Sequence, residues 1–119
     1  LNDDILGSME FACAAAGARL IAVVGHTSCG AVKGACEQVK LGHLSGLLEK
    51  IQPAVARTPS SPAGAGAAYV DAVSRNHVKL VMSQIRERSQ LLADLIQSGK
   101  VGLVGGMYDL ETGRVEFFD

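Results

Sequence analysis

The sequence predicts an α/β domain with a mostly parallel central β-sheet flanked by helices. Two short, continuously apolar runs, Leu20–Val24 and Val101–Val104, have the composition of strands buried on both faces of a parallel sheet. Segments with apolar residues at helical spacing lie before the first run and between the two, as in folds whose parallel strands are joined by helices. With 119 residues, 48% of them hydrophobic and 19% charged, the chain suits one domain, residues 1–119, and is not of the disordered class.

The first predicted helix extends from Asn2 to Gly17. Asn2 can cap it, and Asp3 and Asp4 favour the positive end of the helix dipole in the first turn. Gly17 is a typical terminating residue. The apolar stripe of this helix consists of Ile5, Leu6, Met9, Cys13 and Ala16.

The first strand leads directly into a tight turn and a second helix. The strand stops at Gly25-His26, the turn covers residues 27–30, and helical spacing resumes with Val32, Cys36 and Val39. Ligands of open α/β sheets collect at such strand ends. We therefore expect a functional site, if the chain has one, at this junction.

The middle of the chain is predicted to be helical on both sides of one loop. A helix from Leu44 to about Val55 is perturbed by Pro53, and Arg57–Gly66 is a loop within the domain. A long amphipathic helix covers Val70–Ile85, and a shorter one covers residues 91–96 and ends at Gly99. After the second strand, the turn Glu111-Thr112-Gly113 and the alternation of Val115 and Phe117 predict a closing hairpin.

Composition excludes several classes of function. A formal net charge of -1 with scattered Lys and Arg gives no electrostatic footprint for nucleic acid or an anionic membrane. No apolar run approaches the roughly 20 residues of a membrane-spanning helix. Three Cys residues without disulfide-like spacing favour a reducing compartment, so we expect a cytoplasmic location.

His26 and Cys29 are the strongest candidates for chemistry. The imidazole ends the first strand and the thiol stands at the start of the following helix, three residues later. Both are donors that suit zinc, and zinc requires four ligands, or three and a water. The alternative, in which His26 caps a turn and Cys29 is a buried thiol, remains open on these two residues alone.

The other chemically capable residues are more simply explained by structure. Cys13 and Cys36 fall on apolar helix stripes, and His77 on the edge of another, where a hydrogen-bonded imidazole is expected. His43 is expected in an exposed loop. Asp109 and Glu111 suit a turn, Arg86-Glu87-Arg88 a solvated helix end, and Gly105-Gly106 resembles a phosphate cradle only faintly.

The strand followed by His26-Thr27-Ser28-Cys29-Gly30 resembles the second zinc motif of the β-class carbonic anhydrases. Residues 5–12 are similar to the family helix before that strand, residues 86–92 to its late helical segment, and residues 104–115 to its final strand and hairpin. The similar elements occur in the family's order along the chain.

The resemblance implies that His26 and Cys29 are ligands of Zn²⁺ and that the reaction is the reversible hydration of CO2 to bicarbonate. It assigns no catalytic or further cofactor-binding residue in this sequence. It also implies a homodimer or a larger homo-oligomer, with the zinc site near the subunit interface.

One family feature has no counterpart in this sequence. The family's first zinc motif, C-x-D-x-R on an earlier strand, supplies a third protein ligand, and no Cys here precedes x-Asp-x-Arg. The expectation is therefore a carbonic anhydrase-like domain that lacks its first strand and has impaired activity alone. A non-catalytic oligomerisation or regulatory domain is the alternative, and a thiol-reactive protein using Cys29 is disfavoured because no C-x-x-C pair is present.

Overall fold

The computed structural model describes residues 1–60 and 66–118. Its elements are, in chain order, α1 (Asp3–Glu10), a π-helical turn (Phe11–Ala15), β1 (Leu20–His26), α2 (Gly30–Cys36), α3 (Gly42–Glu49), α4 (Gln52–Ala56), α5 (Ala67–Arg88), α6 (Gln90–Gln97), β2 (Gly102–Tyr108) and β3 (Val115–Phe118). Residues 61–65 of the predicted loop Arg57–Gly66 lie outside the described residues. Among the described residues, no helix combines the length and the hydrophobicity that a membrane-spanning helix needs.

The three described strands form one sheet in the order β1-β2-β3. β1 and β2 are parallel, with Leu20 opposite Gly102 and His26 opposite Tyr108. β3 pairs with β2 in the antiparallel direction, as the predicted closing hairpin requires. The α/β class is therefore confirmed, and the parallel pair ends at His26.

β2 is longer than the predicted strand Val101–Val104. It continues through Gly105 and Gly106 to Tyr108. Both glycines are buried. A Cβ at Gly105 would lie 2.7 Å from the Met82 sulfur of α5, and a Cβ at Gly106 would lie 3.1 Å from Phe117 Cδ1 of β3. Both glycines lie inside β2, where Gly105 allows α5 to approach the sheet and Gly106 leaves room for the side chains of β3. This structural role agrees with their only faint likeness to a phosphate cradle.

One face of the sheet carries the helices. Ile21 of β1 packs in a cluster with Leu6 of α1, Ile85 of α5 and Leu92 of α6. A second cluster joins Met107 of β2 to two further buried residues of α5. A third, formed by α2, α3, α4 and the start of α5, lies beyond the end of β1 and contains Val32, Ala35, Leu48, Ile51, Ala54, Val70 and Val73.

Within the described residues, the other face of the sheet is uncovered. Leu20 and Val24 of β1 are 58% and 47% exposed, and Phe117 of β3 is 62% exposed. The prediction that β1 is buried on both faces was therefore wrong for the described residues. A continuous apolar run predicts that both faces of the strand carry apolar side chains, but it does not show which element covers each face. We refer to Leu20, Ala22, Val24, Val115 and Phe117 as the open face.

Two helix predictions changed in detail. The first helix changes to a π-helical turn at Phe11, with the Ala16 N–H donating to the Phe11 carbonyl five residues back, and Gly17 follows at φ +83°. The predicted helix Leu44–Val55 is divided into α3 and α4. Pro53 lies in the first turn of α4, where its missing N–H is tolerated, whereas it could not continue the hydrogen bonds of α3.

Paired glycine substitutions test the close packing of α5 on the sheet. At Gly25 a Cβ would lie 2.9 Å from both the Met107 sulfur and Val78 Cγ2, so Gly25→Ala is expected to lower the free energy of unfolding by about 1–3 kcal/mol. At Gly7, inside α1, a Cβ meets nothing within 4 Å, so Gly7→Ala is expected to raise it by roughly 0.5–1 kcal/mol. Urea unfolding measures both free energies. A Gly25→Ala protein as stable as wild type would contradict the close approach of α5 to β1 at Gly25.

Candidate metal centre

The two predicted zinc ligands lie on the turn between β1 and α2. His26 is the last residue of β1, and Cys29 is the N-cap residue of α2. Both side chains are half-buried. The junction that the sequence indicated therefore has the predicted order of strand, turn and helix.

The hydrogen bond of His26 determines which ring nitrogen is available. Nδ1 lies 2.9 Å from the Thr27 carbonyl oxygen. Because a carbonyl oxygen only accepts, Nδ1 carries the proton and donates, and Nε2 keeps its lone pair. An imidazole oriented by a backbone carbonyl in this way is suited to metal binding through Nε2.

Cys29 has a free thiol at the edge of the cluster formed by α2, α3, α4 and α5. Its carbonyl accepts the Lys33 N–H at 2.9 Å, which starts α2, and its side chain makes no capping hydrogen bond. The sulfur is therefore not engaged in holding the helix. It is available as a ligand when it is deprotonated.

Two polar residues of α5 form hydrogen bonds with the turn between β1 and α2. The Ser28 N–H donates to Asp71 Oδ1 at 3.0 Å, and the Ser74 hydroxyl donates to the His26 carbonyl at 3.4 Å. Asp71 and Ser74 are three residues apart and therefore share a helix face. Sequence reasoning missed both residues. The available signal was a polar pair within a helix stripe that is otherwise occupied by buried valines.

The closing hairpin also forms hydrogen bonds with this turn. The Thr27 N–H donates to the Tyr108 carbonyl at 2.9 Å, and the Thr27 hydroxyl accepts the Leu110 N–H at 3.1 Å. A cleft of about 950 Å³ lies between this hairpin and α5, and its lining includes Thr27, Asp71, Arg75 and Asp109. His26 and Cys29 do not line that cleft. The cleft is therefore separate from the two candidate ligands.

The donor chemistry of this turn fits zinc, but the number of donors falls short. In the described ranges 1–60 and 66–118, no group of three or more His, Cys, Asp or Glu could hold a metal ion. One imidazole nitrogen and one thiolate are half of a tetrahedral set. His26 and Cys29 would thus supply two of the four ligands that zinc takes.

The other cysteines are partly buried, as their helix stripes predicted. Cys13 lies in the π-helical turn and packs against the cluster around Ile85 and Leu92, and Cys36 packs against the cluster around Ala35. Burial raises the pKa of the Cys36 thiol, so this thiol resists ionisation. Both residues behave as small apolar side chains.

The remaining candidates for chemistry have structural roles. Asp109 Oδ1 accepts the Glu111 N–H at 2.8 Å, which confirms the turn prediction. His43 is exposed but lies in the first turn of α3 rather than in a loop. Arg88 is not merely solvated, because its guanidinium is 2.9 Å from Asp3 Oδ1.

His77 departs from the prediction of a hydrogen-bonded imidazole. Its Nδ1 is buried and has no hydrogen-bond partner among the described residues. The apolar stripe of α5 placed the ring correctly at the edge of the core but could not show whether a partner would reach it. Burial lowers the pKa of His77, since the charged imidazolium loses hydration.

The lowered pKa of His77 predicts a loss of stability in acid. The unfolded chain titrates this ring near pH 6.5, whereas the folded chain resists protonation, so the unfolded state binds more protons below that pH. The free energy of unfolding is therefore expected to fall as the pH drops below about 6.5. In His77→Gln that slope should be smaller than in wild type and smaller than in His43→Gln, which alters an exposed ring. Denaturant unfolding between neutral pH and pH 5 measures the slopes, and equal slopes in both variants would contradict the assignment.

Comparison of sequences identifies relatives over nearly the whole chain. A family model described as carbonic anhydrase matches residues 1–115. The chain is 37% identical over 119 residues to the carbonic anhydrase of Mycolicibacterium smegmatis and 31% identical over 124 residues to carbonic anhydrase 2 of Mycobacterium tuberculosis. These matches cover 98% and 100% of this chain but 57% and 58% of the relatives. The chain thus spans somewhat more than half the length of these curated relatives.

Solved structures share the same arrangement of helices and strands. A tetrameric β-carbonic anhydrase of the ascomycete Sordaria macrospora matches with a TM-score of 0.84 at 16% identity, covering 98% of this chain and 60% of that one. A β-carbonic anhydrase of Aspergillus fumigatus matches with a TM-score of 0.85 at 20% identity, covering 99% and 57%. At these identities the solved structures establish only the fold. Family membership is established by the family model and the mycobacterial relatives. The chain, with its strand, turn and helix around His26 and Cys29, belongs to the β-carbonic anhydrase family.

Proposed function

We propose that this chain is part of a zinc-dependent carbonic anhydrase that hydrates CO2 reversibly to bicarbonate, with His26 and Cys29 as two of the metal ligands. The observation that carries the proposal is the turn at the end of β1. There an imidazole whose Nδ1 contacts a backbone carbonyl and a thiol that is in no disulfide among the described residues stand three residues apart. Family membership and relatives named carbonic anhydrases support the reaction. The remaining ligands would come from residues beyond these 119 or from water.

The residues of the chain have separate roles in this proposal. His26 would bind the ion through Nε2, with Thr27 orienting the ring. Cys29 would bind as a thiolate. Zinc held in this way would supply a nucleophile at neutral pH, because the metal lowers the pKa of a bound water towards about 7. Asp71 and Ser74 keep the turn attached to α5.

Zinc content and CO2 hydration test the proposal on the same preparations. The wild-type chain is expected to bind up to about one zinc per chain through His26 and Cys29, with water or residues of another copy in the remaining coordination positions. The His26→Ala, Cys29→Ser double variant is expected to bind none and to lose any hydration measured by stopped-flow pH change. If the folded wild-type chain binds no more zinc than the double variant, His26 and Cys29 do not form a zinc site in this chain.

We also propose that the chain assembles with a second copy of itself and is located in the cytoplasm. The open face supports assembly, since exposed Leu20, Val24 and Phe117 form an apolar surface of the kind that partners cover. The Sordaria neighbour is described as tetrameric, which is consistent with assembly in this family. Three free thiols suit a reducing compartment. Light scattering of the purified chain tests the assembly, and a monomer at micromolar concentration would contradict it.

A non-catalytic carbonic anhydrase-like domain for oligomerisation or regulation is the second candidate. The donor count favours it, because the described residues hold no group of three metal ligands. It predicts that the folded chain assembles without zinc and without hydrating CO2. The same zinc and hydration measurements therefore distinguish the two functions.

A further inference from the structure

The residue between the two proposed ligands that departs most from ordinary backbone geometry is Ser28. Its φ is +54°, in the left-handed region that residues with a Cβ rarely adopt. Only Gln38 shares this property among the described non-glycine residues. Because Ser28 lies between the two proposed ligands, its left-handed conformation determines where Cys29 lies relative to His26. Something must therefore hold Ser28 in this conformation.

We propose that Asp71 is a positioning residue for the metal centre, because its carboxylate holds Ser28 and thereby orients His26 and Cys29 toward one ion. The inference rests on the proposed function, since it assigns a role toward the same metal. The Ser28 N–H donates to Asp71 Oδ1 at 3.0 Å across 43 residues of sequence. A hydrogen bond to an ionised carboxylate is stronger than one between neutral groups.

Asp71 is well placed for this role because its helix is fixed to the core. Val70 and Val73 of α5 are buried on either side of it in the cluster that also contacts Cys29. The second contact from α5, Ser74 to the His26 carbonyl, is longer at 3.4 Å and comes from a neutral hydroxyl. Asp71 is therefore the stronger of the two attachments between α5 and the turn.

The chain offers variants that separate this role from a general effect on folding. Asp71→Asn keeps an oxygen that can accept the Ser28 N–H, whereas Asp71→Ala removes it. Ser28→Gly removes the strain of the left-handed conformation, since glycine adopts it freely. Asp94→Ala is a matched control. It likewise removes an aspartate carboxylate, but the hydrogen bond that Asp94 accepts comes from the Gln90 side chain within α6 and not from the turn between β1 and α2.

The test is a Co²⁺ titration of the purified chain, followed by thiolate-to-cobalt charge-transfer absorption. Asp71→Ala is expected to weaken Co²⁺ binding by about 10-fold, the lower end of the loss seen when a hydrogen-bond partner of a ligand is removed, because Asp71 acts on the two ligands only through Ser28. Asp71→Asn should keep most of the affinity, and Asp94→Ala all of it. In the Ser28→Gly background the loss caused by Asp71→Ala should shrink. In the metal-free chain, the Ser28 amide should exchange faster with deuterium in Asp71→Ala than in wild type.

The outcomes distinguish the two proposals. If the wild-type chain shows no thiolate-to-cobalt absorption, the metal centre is overturned and the role of Asp71 falls with it. If wild type binds Co²⁺ and Asp71→Ala binds it equally well, only the role of Asp71 is overturned. Equal losses in Asp71→Asn and Asp71→Ala, or a loss in Asp71→Ala that Ser28→Gly does not reduce, would also overturn it, because the hydrogen bond to Ser28 would not be the cause.

Discussion

Replacing Cys29 by Ser is expected to lower the affinity of the chain for zinc by more than about 100-fold, since a ligand contributes more than the outer partners whose loss costs 10–100-fold. A Ser hydroxyl is a poor zinc ligand, and His26 would remain as the one proposed protein donor. The substitution removes one sulfur from a half-buried position, so the fold should change little. Competition with a zinc-binding dye measures the affinity.

The other two cysteines provide matched controls for this result. Cys13→Ser and Cys36→Ser remove the same atom from positions that pack against the core, and burial raises the pKa of Cys36. Both variants should lose some stability and keep their zinc affinity. Equal zinc affinity in all three variants would show that the metal is bound elsewhere.

Leu92→Ala is expected to lower the free energy of unfolding by about 4 kcal/mol. The Leu92 side chain is 0% exposed and packs where α1, α5, α6 and both parallel strands meet. Removing three buried carbons loses their transfer free energy and leaves a cavity that several elements would have to move to fill. Since whole domains are stable by only about 5–15 kcal/mol, this one substitution is a large part of the total.

Leu91→Ala is the control, because it makes the same chemical change one residue earlier on α6. Leu91 is 43% exposed, so its loss should cost less than about 1 kcal/mol. Urea unfolding of the two variants measures the difference. If they unfold at the same urea concentration, α6 does not pack as the structure has it.

The part of the candidate site that could be predicted from sequence consists of residues that are close together along the chain. An apolar run followed by glycine, histidine and a resumed helical period predicts a strand, a turn and a helix, and His26 and Cys29 lie on that turn. Asp71 and Ser74 contact the turn across more than 40 residues, and no local pattern indicates that α5 would pass beneath it. The conformation of Ser28 was equally hidden, because serine gives no signal for a positive φ.

The fold shows the same division between local and distant information. The order of strands and helices follows from apolar spacing, but the length of β2 does not, since Gly105 and Gly106 are as typical of a turn as of a strand. The place of Gly105 in β2 depends on Met82 and Val78 of α5, which leave no room for a side chain there, and that of Gly106 depends on Val115 and Phe117 of β3. Likewise, the division into α3 and α4 follows from Pro53, whereas the exact junction depends on Ile51 reaching the core.

If the open face binds a second copy of the chain, as we propose, it links the stability of this chain to its concentration. The open face is complete only in the folded state, so a partner that covers it binds the folded chain and not the unfolded one. Folding and association then form one equilibrium, in which mass action favours the folded state as protein concentration rises. The melting temperature of the chain should accordingly increase with concentration, and a dilute sample should unfold under conditions in which a concentrated one remains folded.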